Sequence, residues 1–279
     1  MIRLVVASIA SFCAVLPLRA QSSQPSDPGT ATIVAANVLI GAITGGVGNV
    51  AGGRSFWSGA AKGASGGVFI FAGKEVISRQ GSLHAWGGRQ LAAIGSSQVR
   101  NGAAGRPILS ELVFPLWFSR VYVKTSGRPK VSMRFDLSTA VGGAIMASRV
   151  TTKFELGQSL RNGVLMFGEE FGQDSVAGEH ISGAIQVDRV PAIAPDEAQY
   201  RRGAVTAHEI IHAVQYDFVG IALSEPLEAM IFNRSQRGRS FKKVVDPGIL
   251  TPFWSAANAM IPRNDRPWER EAHALSPGQ

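Results

Sequence analysis

An α+β fold is what the sequence predicts, and three observations carry that expectation. Small residues recur at helical spacing through the first third of the chain, apolar residues alternate with polar ones in the middle, and a stretch with apolar flanks bearing His208-Glu209-Ile210-Ile211-His212 follows. The expected order is a glycine-rich helical N-terminal region, an antiparallel sheet, a helix carrying HExxH, and a short C-terminal helix.

Residues 1–20 read as an export signal. Met1-Ile2-Arg3 is a short positive start, Leu4 to Leu16 is almost wholly apolar, and Ala20 offers a small residue at the cleavage point. The apolar stretch falls short of the ~20 residues that span a bilayer. Cys13, the single cysteine, lies inside it, so the rest of the chain rests on a packed core rather than disulfides. Export implies a periplasmic or extracellular protein of a bacterium. Loss of Arg3 and Arg19 takes the formal charge from +8 to +6. The remaining cations are scattered, apart from Arg237, Arg239, Lys242 and Lys243, which read as a solvated loop, and no nucleic acid is expected as partner.

Residues 21–30 form a polar linker, and residues 31–105 a glycine-rich helical region. The spacings Gly41/Gly45, Gly48/Gly52 and Gly59/Gly63/Gly67 let two helices approach closely. From Pro28 to Gly53 there is no charge, so membrane association through segment 31–73 is one reading. A closely packed soluble hairpin is the second, because Arg54 and Lys62 interrupt the apolar run and glycine contributes little apolar area. A disordered or inhibitory prosegment is the third. A further helix is expected around Leu83 to Arg100.

Residues 106–279 hold the sheet and the catalytic region. Val121 and Val123 alternate with Arg120, Tyr122 and Lys124; Val131, Met133, Phe135 and Leu137 alternate with Ser132, Arg134, Asp136 and Ser138. Ser126-Gly127-Arg128-Pro129 and Asn162-Gly163 supply turns. An antiparallel sheet over about 115–190 follows, with a last strand from Ile181 to Asp188 before a helix that starts at Pro195-Asp196-Glu197.

On that helix His208 and His212 lie four apart and share a face, so both imidazoles can meet one ion, while Glu209, about 100° round, reaches a water bound to it. The pattern is expected by chance only about 0.004 times in a chain of this composition. It suits Zn2+, which keeps one position open in catalytic sites and lowers the pKa of a bound water, with Glu209 as general base. Two histidines do not close the site. The variant with a third histidine on the same segment is excluded, because Gln215 and Phe218 stand where its glycine and histidine would be. Asp217 would point away. Glu225 and Glu228 come close if the helix turns back at Gly220. The C-terminal segment Asp265 to Leu275 reads as a helix capped by Asp265, with Pro267 in its first turn and Glu269, Glu271 and His273 along it.

HExxH followed tens of residues later by an ExEA helix resembles the gluzincin zinc metallopeptidases. The resemblance covers Asp196 to Leu275. It implies Glu269 as third ligand, His273 supporting it from the same face, a peptide or protein substrate, and an upstream strand, here Ile181 to Asp188, that holds extended peptide by strand addition. An aspartate is common in the family where His273 stands, which keeps Glu271, about 200° round the helix from Glu269, open as the ligand. The reading is thus a zinc-dependent hydrolase of amide bonds. Its rivals are a non-catalytic envelope protein with a structural zinc, and an exported toxin-like effector.

Overall fold

The structure is a computed structural model that describes residues 28–149, 152–169, 178–181, 184–188, 195–262 and 265–276; the expected export signal and nearly all of the expected linker lie outside them. The chain is α+β. Three long helices come first: α1 (Thr30–Ala51), α2 (Phe56–Ser78) and α3 (Ser82–Ala103). They pack together, α2 against both neighbours along its length and α1 directly against α3, where a Cβ on Gly48 would meet that of Ala103 at 2.4 Å. The glycine spacing has a direct cause here. A Cβ on Gly63 would sit 2.0 Å from the carbonyl oxygen of Gly41, and one on Gly41 would sit 2.3 Å from that of Gly63, so the two backbones touch where side chains would hold them apart. That contact is what the closely packed hairpin requires. Helix α1 is also long and apolar enough to cross a membrane.

Two sheets follow, where a single antiparallel one was expected. The first has order β1-β2-β3-β8, from β1 (Glu111–Leu116), β2 (Ser119–Lys124), β3 (Lys130–Asp136) and β8 (Val245–Asp246); the second has order β4-β5-β7-β6, from β4 (Thr152–Phe154), β5 (Leu165–Glu169), β6 (Gly178–Ile181) and β7 (Ala184–Asp188). The pairs β3–β8 and β5–β7 are parallel. The strand expected to run on through Leu137 stops one residue earlier. Asp136 instead caps helix α4 (Leu137–Ser148), its carboxylate accepting from Thr139 N at 3.2 Å and from the Ser138 hydroxyl at 2.7 Å.

In the first sheet the alternation holds, but its facing is reversed from the usual apolar-in arrangement. Register sets Leu112, Val123 and Val131 in one row, Phe114, Val121 and Met133 in the next, and Leu116, Ser119 and Phe135 in the third, all on the outer side. The inner side buries Val113, Arg120 and Tyr122. Arg120 pairs with Asp136 at 2.8 Å and Asp246 at 3.1 Å, and the Tyr122 hydroxyl donates to Asp246. These groups pair with one another on the inner side, so the polar cluster occupies the face that apolar side chains would otherwise fill.

Helix α6 (Pro195–Phe218), which follows the short α5 (Leu156–Asn162), carries HExxH through the middle of the molecule, starting where the sequence placed it. Ala207, Ile210, Ile211 and Val214 join Ile70, Ile77, Ala92 and Val99 of the N-terminal helices and Met166 and Ile185 of the second sheet in one core. The helix does not turn back at Gly220. It runs through a π-helical turn (Val219–Ser224) into α7 (Glu225–Phe232), and the Arg120 guanidinium lies so close to Gly220 that a Cβ there would meet it at 2.2 Å. Helices α8 (Gln236–Val244), α9 (Leu250–Ala259) and α10 (Pro267–Leu275) follow.

Candidate metal centre

The centre is built by two helices. On α6, four-residue spacing stacks His208 over His212. On α10, Pro267 stands in the first turn with Arg266 as N-cap, in place of the expected Asp265. Trp268 packs on Trp254 with ring centroids 4.8 Å apart, and Trp268, Ala272 and Leu275 are buried, which turns Glu269 inward. His208, His212 and Glu269 form a group that can hold a metal ion.

The distances carry more than proximity. His208 Nε2 and His212 Nε2 are 3.1 Å apart, and Glu269 Oε2 lies 3.3 Å from the first and 3.2 Å from the second. Three ligands placed about 2.0–2.1 Å from one ion in tetrahedral geometry stand about 3.3 Å apart, which is this triangle. Hydrogen bonding alone fits it less well. Each Nε2 could donate to the carboxylate, but then two N–H groups would face each other. All three residues, with Glu209, are less than a tenth exposed.

One tautomer follows from the neighbours. Gln215 Nε2 donates to the Trp268 carbonyl at 3.2 Å and to Glu271 Oε2 at 2.9 Å, both pure acceptors. Its Oε1 must therefore face His212 Nδ1, at 2.8 Å, and accept from it. With the proton on Nδ1, His212 turns the lone pair of Nε2 to the centre. Glu271, the rival to Glu269 as ligand, is thus placed behind the site: it takes Lys74 Nζ at 2.8 Å on both oxygens and Asn37 Nδ2 at 2.7 Å. Burial works to raise its pKa, but Lys74, Asn37 and Gln215 outweigh that and hold it below the usual carboxylate range. Asp217, Glu225 and Glu228 are likewise held by cations. Glu225 pairs with Arg100 at 3.2 Å and Lys242 at 2.7 Å, Glu228 with Lys242 at 3.1 Å, and Asp217 with Arg89 at 2.8 Å.

Electrostatics divides the histidines. Burial, helped by His212 and His273, lowers His208 to about 4 against the hydrogen bond to Glu269. Burial also opposes charge on His212, but the bond to Glu269, the charges of Glu209 and Glu269, and Gln215 prevail and raise its pKa. Glu209 thus acts on the centre from close by. His273 lies on the inner face as expected, its ring centroid 4.7 Å from that of His208. A cavity of about 310 Å3 lies on the far side of the Lys74–Glu271–Gln215 chain, lined also by Trp254 and Trp268 rather than by the ligand triangle.

Gln215, Lys74 and Asn37 were not singled out from sequence as parts of the site. Lys74 left a trace: with Ile70, Gly73 and Ile77 it sits at helical spacing on a buried face, where a lone cation needs a partner. The strand expected over Ile181 to Asp188 is instead two antiparallel strands. β7 is paired on both sides and cannot accept a peptide; β6 is the end strand of its sheet and, like β7, packs against α6.

No protein-family model matches the chain, and no curated protein or solved structure is significantly similar to it. The centre's own geometry therefore defines what class of site this is: two histidines one helical turn apart and a glutamate from a second helix, closing on one point.

Proposed function

We propose that the protein is a zinc-dependent hydrolase of the gluzincin kind, cleaving amide bonds in a peptide or protein. The observation that carries this reading is the near-equilateral triangle of His208, His212 and Glu269 with Glu209 beside it. The donor set, two imidazoles and a carboxylate, suits Zn2+ with one position left for water. A zinc ion held there supplies Lewis acidity to that water and to a carbonyl. The chain's residues do the rest. Gln215 fixes the His212 ring, the acid beside His208 accepts the proton of the attacking water, and the same carboxylate returns it to the leaving amine. The outer edge of β6, alongside α6, gives an extended peptide a place to pair.

A second reading, a zinc staple without turnover, draws support from the burial of all four residues. One substitution separates the two. In the enzyme, Glu209→Gln keeps one zinc per chain and the fold while hydrolysis of a fluorogenic peptide mixture falls about 100-fold or more. In the staple, wild-type protein turns over nothing, or Glu209→Gln loses metal and fold together. His208→Ala and His212→Ala lose the metal in either case.

A further inference from the structure

The outer face of β1–β3 is apolar and is not covered by the described residues. Val131 is 67% exposed, Met133 64% and Phe135 41%, with Val121 and Val123 beside them and the Phe118 ring 6.0 Å from that of Phe135. An antiparallel sheet with one buried face normally hides its apolar side. Here the Arg120 cluster has claimed the inside, so among the described residues the apolar side is left without a cover.

Two observations identify the occupant. Three strands about 4.8 Å apart and six residues long present about 300 Å2, well below the roughly 800 Å2 per partner that a stable protein interface buries. A second copy is therefore a poor fit. The charges at the hairpin tip point elsewhere. Lys124, Arg128 and Lys130 are exposed, and none has an acidic partner among the described residues. The two acids between residues 111 and 148, Glu111 and Asp136, are held by Arg106 at 2.8 Å and Arg120 at 2.8 Å. A small apolar face ending in unneutralised cations on flexible stems matches a surface that is anionic outside and apolar beneath.

We propose that this hairpin face docks on a lipid bilayer bearing anionic headgroups. Val131, Met133 and Phe135 enter among the acyl chains, and Lys124, Arg128 and Lys130 lie against headgroup phosphates. The inference is independent of the metal reading.

Co-sedimentation of the full chain with phosphatidylcholine vesicles, with and without phosphatidylglycerol, tests it. Binding is expected to the anionic vesicles alone, weakening with added salt and falling about five-fold for each of Lys124→Gln, Arg128→Gln and Lys130→Gln. Met133→Asp should abolish it while leaving the thermal melt unchanged, because that side chain is already in solvent. The proposal is overturned if the wild type does not sediment, or if neutral vesicles bind it equally. It is equally overturned if Met133→Asp binds like the wild type, which would place any membrane contact on α1, or if Met133→Asp only dissolves a dimer, which would make a second copy the occupant.

Discussion

Replacing Gln215 with methionine keeps the side chain's length and bulk and deletes both ends of its amide. In the wild type, Oε1 takes the Nδ1 proton of His212 at 2.8 Å, while Nε2 serves the Trp268 carbonyl at 3.2 Å and Glu271 at 2.9 Å. Without Oε1 the His212 ring loses the bond that fixes its tautomer and its angle. Losses of this kind weaken metal binding by about 10 to 100-fold, or about 1.4–2.8 kcal/mol. The fold loses something separate. Glu271 keeps Lys74 and Asn37, so its charge stays paired, and the cost is that of buried polar groups left unbonded, about 1–3 kcal/mol. Competition against a chromophoric chelator reads the first quantity, and urea unfolding of the metal-free protein reads the second. A folded Gln215→Met protein whose zinc affinity stays within about two-fold of wild type would show that His212 is held without this bond, and the tautomer assignment would fail.

Glu271→Gln should destabilise the fold by about 3–5 kcal/mol, because it strands the buried Lys74 ammonium, and adding Lys74→Met should recover much of that; a shift below about 1 kcal/mol in urea would count against a buried ion pair. Glu225 gives a pH signature. Burial raises its pKa, but Arg100 and Lys242 bring it down to about 2, so its contribution is complete above the unfolded value near 4.5 and is lost as pH falls through about 2. Acid unfolding followed by circular dichroism should therefore show Glu225→Gln less stable than wild type at pH 7, with the gap closing toward pH 2. A gap that stays constant over that range would contradict the depressed pKa.

Local patterns were legible in the sequence where one face or one spacing decided them. The glycine ladder, the helix starting at Pro195 and the shared face of His208 and His212 follow from periodicity and side-chain direction, whereas Glu269 was implied only by the resemblance to gluzincins. What could not be read depended on partners far along the chain. The β2–β3 alternation fixed two faces but not which was inside, since that turned on Asp246, 126 residues after Arg120. The end of β3 was lost for a local reason: Asp136 can continue a strand or cap a helix, and the Ser138 and Thr139 beside it favoured the cap. The choice between Glu269 and Glu271 was open because both lie on one short helix, and what decides it lies far along the chain: Trp254, on which Trp268 packs, and Lys74, which holds Glu271.

The chain of bonds from Asn37 through Lys74, Glu271 and Gln215 to His212 joins α1 to α10 across up to 234 positions. Neither the carboxylate that closes the triangle nor the one that steadies Gln215 is present until residues 269 and 271 have been made. During synthesis His208 and His212 emerge dozens of residues ahead of Glu269 and have nothing to close on. A nascent or interrupted chain therefore carries the motif without the centre, and the arrival of α10 is what turns a pair of histidines into a place for an ion.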